Sequence, residues 1–74
     1  MGLATLTVNG FVYNGRFDPN GLCFISNVAV APIPINTGGI LQMVDPAGNL
    51  IGPAQNRVIR GVGFDHRTVY FAVN

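Results

Sequence analysis

Cys23 and His66 are the only thiol and the only imidazole in the chain, so they are the first residues to consider for catalysis. A cysteine and a histidine can act as nucleophile and general base when folding brings them together. No third residue with an obvious orienting role accompanies them. Cys23 also stands between Leu22 and Phe24, where a buried thiol behaves as a small apolar side chain. We therefore expect no catalytic pair and no enzyme.

The carboxylates are three aspartates, and each has a structural explanation. Asp18 and Asp45 both precede a proline at the first position of a turn, where a carboxylate accepts hydrogen bonds from local N–H groups. Asp65 also lies in a predicted turn. A metal site would need more Cys, His or acidic residues than the chain supplies, and Gly38 and Gly39 lack the lysine and following helix of a P-loop. The sequence therefore predicts no cofactor and no metal.

Asp65, His66 and Arg67 form the one local cluster of ionisable side chains in the sequence. The simpler explanation is a solvated loop tip. The alternative is a contact point for a partner or for a sugar on a cell surface, with Tyr13 or Tyr70 as the neighbouring aromatic side chain. We keep these three residues as a candidate partner-contact loop.

Four arginines are the whole basic inventory, and the net charge is +1. Affinity for nucleic acid rises with the number of phosphates that a protein neutralises, and this chain has no basic stripe. We therefore expect no nucleic-acid partner. Arg57 and Arg60 fall on opposite faces of a regular strand, so we expect at least one of them to pair with an aspartate or a backbone carbonyl, within the chain or across a subunit boundary.

Charge is scarce along the whole chain. Four basic and three acidic side chains occur in 74 residues, of which 49% are hydrophobic, whereas an ordinary domain of this length carries about 18 charges. The longest apolar run, residues 28–35, is interrupted by two prolines, and a membrane-spanning helix needs about 20 apolar residues. The lone cysteine excludes an intrachain disulfide and favours folding in a reducing cytoplasm. We therefore expect another protein, and not a membrane, to cover part of the surface.

Ten glycines and five prolines divide the chain into short segments rich in Val, Ile, Thr, Phe and Tyr. Residues of these types favour strands, and none of the segments is long enough for an ordinary helix. Seven or eight strands in hairpin order predict one all-β domain over residues 1–74. Its architecture is expected to be a small antiparallel β-sandwich or a partly open barrel.

The first hairpin is the clearest local prediction. Asn9 and Gly10 tolerate the positive φ angles of a type I′ turn, and they lie between the strand segments 5–8 and 11–14. A two-residue turn pairs Val8 with Phe11 and so fixes the register of the whole hairpin. That register puts four apolar side chains on one face: Leu6, Val8, Phe11 and Tyr13.

The later turns follow from proline, glycine and aspartate. Residues 18–21 and 45–48 share an Asp-Pro-X-Gly pattern and predict two turns of the same chemistry. Residues 36–39 predict a flexible connection, and residues 52–53 predict the end of a strand. Residues 65–67 predict the turn of the last hairpin, whose second strand alternates Val69, Phe71 and Val73 with Thr68, Tyr70 and Ala72.

A predicted strand from Leu22 to about Val30 is apolar on both faces, which indicates cover on both sides. The following Pro32 and Pro34 remove two N–H donors from one edge of this segment. Without those donors another strand cannot pair with that edge, which protects the sheet against uncontrolled association. We therefore predict a subunit interface in this region. Its candidate residues are Leu22, Phe24, Ile25, Val28, Val30, Pro32, Ile33, Pro34 and Ile35.

The chain is short, all-β, poor in charge and rich in Asn, Gly, Thr and Pro. In this general composition it resembles the small capsid cement or decoration proteins and the short tail-fibre domains of tailed bacteriophages. The resemblance implies a structural protein on the virion surface that forms homo-oligomers, commonly trimers, and stabilises a protein shell. It transfers no functional residue. The alternative is a receptor- or carbohydrate-binding module displayed on a larger particle.

Eight asparagines and two glutamines supply hydrogen bonds without formal charge. Neutral contacts are not screened by salt as ion pairs are. We therefore expect assembly of this protein to change little with ionic strength.

Overall fold

The structure, a computed structural model, describes residues 2–27 and 35–74, and its strands close into one antiparallel barrel. The strands of the described residues are β1 Gly2–Val8, β2 Phe11–Asp18, β3 Cys23–Ser26, β4 Thr37–Val44, β5 Leu50–Asp65 and β6 Thr68–Val73. Their order around the barrel is β1-β2-β3-β6-β5-β4, and β4 pairs back onto β1. The all-β antiparallel prediction is confirmed, and the architecture is a closed barrel instead of a sandwich or a partly open barrel.

Two three-stranded meanders make the barrel, one from β1 to β3 and one from β4 to β6. They meet along two seams: Leu6 of β1 pairs with Leu41 of β4, and Phe24 of β3 pairs with Phe71 of β6. Closure gives every strand of the described part a neighbour on each side, which removes exposed sheet edges there.

The first hairpin has the predicted register. Val8 pairs with Phe11, Leu6 pairs with Tyr13, and the turn residues Asn9 and Gly10 have φ angles of 50° and 81°. The side chains of Leu6, Val8 and Tyr13 are buried as expected. The fourth member of that face, Phe11, is 59% exposed because it lies at the end of β2, where its ring stacks on Tyr13 at a centroid distance of 6.0 Å.

Aromatic rings fill the centre of the barrel. The ring of Phe71 lies 5.3 Å from that of Tyr13 and 6.1 Å from that of Phe24. The predicted alternation in β6 is confirmed, since its three inward residues are buried. The buried apolar residues are Ala4, Leu6, Val8, Tyr13, Phe17, Phe24, Leu41, Ile59, Val69, Phe71 and Val73. The buried hydroxyl of Ser26 donates a hydrogen bond to the backbone carbonyl of Asn14 at 2.9 Å, which offsets its desolvation.

The turn after β2 begins at Asp18 as predicted, and its carboxylate oxygen Oδ1 accepts the backbone N–H of Asn20 at 3.0 Å. The predicted start of the next strand is wrong by one residue. Leu22 has a φ of 50° and belongs to the turn, although its carbonyl accepts the N–H of Val73 at 2.9 Å. The strand ends at Ser26, one residue before Asn27, and residues 28–30 of the predicted strand lie outside the described residues.

Residues 37–39 are not a flexible connection, so that prediction is wrong. They begin β4, and Gly39 pairs with Arg57 of β5. A Cβ atom on Gly39 would lie 3.0 Å from Cγ2 of Val8, so the missing side chain lets β4 approach β1 closely. The pairing partners are distant in sequence, and local composition therefore could not reveal this strand.

Gly52 and Pro53 do not end a strand, contrary to prediction, because β5 continues through them from Leu50 to Asp65. They lie in a β-bulge where the register with β4 shifts, and Gly52 has a φ of 71°. The side-chain amide of Gln42 donates to the carbonyls of Ile51 and Gly52 at 3.0 and 2.9 Å. These bonds replace ladder hydrogen bonds that the bulge removes.

The turn between β4 and β5 is organised by Asp45. Its backbone carbonyl accepts the N–H of Gly48 at 2.9 Å, and its Oδ1 accepts the N–H of Asn49 at 2.8 Å. Gly48 adopts a φ of 88°, which glycine tolerates without strain. The predicted turn chemistry is therefore confirmed here.

Acid should weaken this turn. The hydrogen bond from the backbone N–H of Asn49 is the main reason that the pKa of Asp45 lies below its usual value. Because the folded-state pKa is below the unfolded value of about 3.9, the stabilisation is fully present above that pH and is lost as the pH falls through the folded-state pKa. Urea midpoints measured across the acid range should depend less on pH in Asp45→Asn than in the wild type. Equal pH dependence would contradict this role for the carboxylate.

Candidate binding surfaces

Cys23 and His66 are not brought together. Cys23 pairs with Ala72, and the turn that holds His66 lies beyond Thr68. Four residues of strand separate Thr68 from Ala72, which is about 13 Å. Burial, with a smaller contribution from Asp18, raises the pKa of the Cys23 thiol, so the thiolate is disfavoured at neutral pH. The pair therefore provides no nucleophile and base.

The partner-contact loop is a two-residue turn at His66 and Arg67, because Asp65 pairs with Thr68. Nε2 of His66 lies 3.6 Å from Oδ1 of Asp65, and the two side chains are 95% and 68% exposed. Of the two tyrosines proposed beside this loop, Tyr13 is only 3% exposed and belongs to the core, whereas Tyr70 is 37% exposed on the outer face of β6.

The predicted subunit interface is divided by the fold. Phe24 is fully buried inside the barrel, so it contributes to the core and has no surface for a partner. Leu22 and Ile35 are 41% and 59% exposed, and Ile25 is half-buried. The remaining candidates, Val28, Val30, Pro32, Ile33 and Pro34, lie outside the described residues.

Two arginines have neutral partners. The Arg57 guanidinium lies 5.3 Å from the ring centroid of Phe17 and donates to Oε1 of Gln55. The Arg60 guanidinium donates to Oδ1 of Asn36 at 2.8 Å. Within residues 2–27 and 35–74 neither guanidinium contacts an aspartate or a backbone carbonyl, so the pairing is not made inside this part of the chain and stays a prediction for a subunit boundary.

A row of uncharged side chains crosses four strands on the outside of the barrel. Val12 of β2 pairs with Thr7 of β1, Thr7 pairs with Ile40 of β4, and Ile40 pairs with Asn56 of β5. Thr5 and Gln42 pair in the next outward row. We call these six residues the neutral face: Thr5, Thr7, Val12, Ile40, Gln42 and Asn56. Val12 and Ile40 are 55% and 41% exposed, so the face combines apolar area with neutral hydrogen-bonding groups.

A depression of about 410 Å³ opens beside the neutral face. Gly38 lies at this depression, and a Cβ atom built there would meet nothing within 4 Å. Thr7, Ile40 and Asn56 of the neutral face also line it. The face is therefore not flat, and a side chain of a second protein could enter it.

A larger groove of about 590 Å³ lies where β1, β2 and β3 pass beside the β4–β5 turn. We call it the Arg16 groove, after the one cationic side chain in its lining. Its lining residues are Leu3, Ala4, Asn14, Gly15, Arg16, Ile25, Asn27, Val44, Asp45, Pro46 and Gly48. The sequence contains no signal for this groove, because its walls come from four separate parts of the chain.

The total accessible surface is 4534 Å², close to the value of about 4,400 Å² expected for a compact monomer of this mass. The unusual property is therefore the chemistry of the surface and not its extent. Among residues 2–27 and 35–74, nine large apolar side chains are exposed: Phe11, Val12, Leu22, Ile35, Ile40, Leu50, Ile51, Phe64 and Tyr70.

The described residues contain no cluster of three or more His, Cys, Asp or Glu side chains arranged to hold a metal ion. Across the same residues, no helix has the length and hydropathy to cross a membrane. No protein-family model, curated protein or solved structure matches the chain. Function must therefore be argued from the two surfaces themselves.

Proposed function

We propose that this protein is a structural subunit of a virion that self-associates through the neutral face, as a homotrimer, and stabilises a protein shell as a capsid cement or decoration protein. The observation that carries the proposal is the neutral face, where exposed Val12 and Ile40 lie in one paired row without any charged side chain. The particular kind of shell is suggested by the compositional resemblance.

Physical arguments support a protein partner for this face. Charged residues are depleted in the cores of protein interfaces, and the neutral face has none. A standard interface buries about 800 Å² on each partner, which is roughly a fifth of the 4534 Å² surface of this chain. A trimer would therefore cover much of the apolar area that the small number of charges leaves unsolvated.

Native mass spectrometry and light scattering at micromolar concentration test the self-association. We expect a trimer whose mass does not change between low and high salt. Ile40→Lys places a charge in the centre of the neutral face and should shift the protein to monomer. Phe64→Lys is the matched control, because Phe64 is 58% exposed and pairs with Val69 of β6, away from that face, and this variant should remain trimeric.

A wild-type protein that stays monomeric under these conditions would overturn the self-association. A trimer that tolerates Ile40→Lys but not Phe64→Lys would place the interface elsewhere on the barrel. Attachment to a shell is tested by electron microscopy of particles assembled from the neighbouring genes, with and without this protein. We expect added regular density and greater resistance of the particles to heat.

One observation favours a carbohydrate-binding module as the second candidate. Tyr70 is exposed and pairs with Gly63, where a Cβ atom would meet nothing within 4 Å. No side chain at that position covers the aromatic ring, so a sugar could stack on it. Binding on a glycan array that is lost in Tyr70→Ala would favour this function.

A further inference from the structure

The Arg16 groove has an apolar floor and one cationic side chain. Arg16 pairs with Leu3 on one side and with Ile25 on the other. Its aliphatic stem therefore lies between two apolar residues, while its guanidinium is free to reach a ligand above them. Val44 and Pro46 continue the apolar lining toward the β4–β5 turn.

The guanidinium of Arg16 has no hydrogen-bond or ion-pair partner within residues 2–27 and 35–74. The carboxylate in the lining, Asp45, keeps its negative charge but forms no ion pair with Arg16. Both oxygens of Asp45 accept hydrogen bonds from Asn49, one from the backbone N–H at 2.8 Å and one from the side-chain amide at 3.2 Å. The groove therefore contains one cation, the Arg16 guanidinium, that has no ion pair in the described part of the chain.

Two neutral amides lie in the same lining. Oδ1 of Asn27 accepts the hydroxyl of Thr68 at 3.4 Å, which leaves the NH₂ group of Asn27 as a donor. The side chain of Asn14 has no partner in the described part of the chain. The groove thus combines one cation and two amides with an apolar floor. A ligand that fits it carries both a negatively charged hydrogen-bond acceptor and apolar groups.

We propose that the Arg16 groove binds an extended peptide segment of a partner protein, with an acidic side chain of that segment held by Arg16. This inference deepens the proposed function and rests on it, since it names the partner segment that would attach this subunit to a larger assembly. The neutral face and the Arg16 groove are separate sets of residues, so each can be tested without the other.

A carboxylate fits better than a phosphate. The planar guanidinium of Arg16 can form two parallel hydrogen bonds with one carboxylate. A dianionic phosphate would be matched by more cationic side chains than one, and Arg16 is the one cation in the lining.

The shape of the groove favours a peptide. From Val44 on β4 to Ile25 on β3 the groove crosses four neighbouring strands. Three strand spacings of about 4.8 Å give a length of about 14 Å, which about four residues of extended chain would occupy. The apolar residues along this path would contact the side chains on either side of the acidic residue.

The test is a titration of the ¹⁵N-labelled protein followed by NMR. The probe is an acetylated and amidated peptide, Leu-Val-Glu-Val, and the matched peptide carries Gln in place of Glu. We expect the Arg16 Nε signal and the side-chain amides of Asn14 and Asn27 to shift with the Glu peptide. The Gln peptide and the variant Arg16→Gln should each bind about tenfold more weakly or worse, because a charge-assisted contact is lost.

Arg67→Gln is the matched control, since it removes the same charge from the exposed turn at the end of β5, and its affinity should equal that of the wild type. Peptide affinity should fall with added salt, whereas the mass of the trimer should not change. Peptide binding and self-association are therefore measured separately, and one can fail while the other holds. Equal binding of the Glu and Gln peptides, or equal binding by Arg16→Gln, would overturn the inference. If butyrate binds as tightly as the Glu peptide, the groove recognises a free carboxylate, and the proposal that it binds a peptide segment is overturned.

Discussion

Gly15→Ala should lower the free energy of unfolding by about 3 kcal/mol or more, at the upper end of the range for added atoms in a packed interior. Gly15 pairs with Ser26, and a Cβ atom on Gly15 would lie 2.0 Å from the carbonyl oxygen of Ile25. That contact is with backbone, so no side-chain rotation can relieve it. The β2–β3 pairing itself must shift, and Phe24 at 3.1 Å blocks movement on the other side.

Gly63→Ala is the matched control for this prediction. A Cβ atom on Gly63 would meet nothing within 4 Å, and alanine in a strand loses less backbone entropy on folding than glycine. We expect this variant to be unchanged or up to about 1 kcal/mol more stable. Urea unfolding at a fixed protein concentration gives the free energy of unfolding of each variant. Similar values for Gly15→Ala and Gly63→Ala would show that β2 and β3 are less closely packed at Gly15 than the structure indicates.

Local chemistry was enough to predict the turn and the register of the first hairpin. Asn9 and Gly10 determine the turn, the turn determines the register, and the register determines that Leu6 and Tyr13 point inward. The turn at Asp45 was predictable for the same reason, because its hydrogen bonds join residues at most four positions apart. Interactions of this range depend only on residues that are close together in the sequence.

Closure of the barrel was not predictable, because it depends on pairings between distant residues. Nothing near Leu6 in the sequence indicates that it pairs with Leu41, and nothing near Gly52 indicates that Gln42 supplies donors to the bulge. Glycine and proline have two meanings in such a chain. Gly39 marks a close approach of two strands, and residues 52–53 mark a bulge within a strand, although such residues are typical of loops.

The candidate surfaces follow the same division. The shortage of charge predicted that a protein covers part of the surface, and alternation in β6 correctly separated the buried Phe71 from the exposed Tyr70. The neutral face required the registers of β1 with β2 and β4, and the Arg16 groove required the position of the β4–β5 turn. The shortage of charge was therefore evident from the sequence, whereas the positions of the uncharged surfaces on the barrel could be found only from the fold.

Phe71→Ala should cost about 3–5 kcal/mol, the usual range for removing a buried phenylalanine side chain. Phe71 is fully buried, and its ring contacts those of Tyr13 and Phe24 at the centre of the barrel. It also lies in the β3–β6 seam, so the cavity would open where the two meanders join. In a domain of this size each 1 kcal/mol lowers Tm by about 4–8 °C, and we therefore expect a fall of about 12 °C or more.

Phe64→Ala is the matched control, because Phe64 is 58% exposed and lies next to the last residue of β5. Its truncation should change the free energy of unfolding by less than about 1 kcal/mol. The loss in free energy of unfolding for Phe71→Leu should lie between those of the other two variants, since leucine keeps most of the buried volume. If Phe71→Ala does not fold, Phe71→Leu still allows the comparison with Phe64→Ala. Thermal unfolding of all three at one concentration provides the test. Equal losses for Phe64→Ala and Phe71→Ala would mean that the two meanders do not close around Phe71.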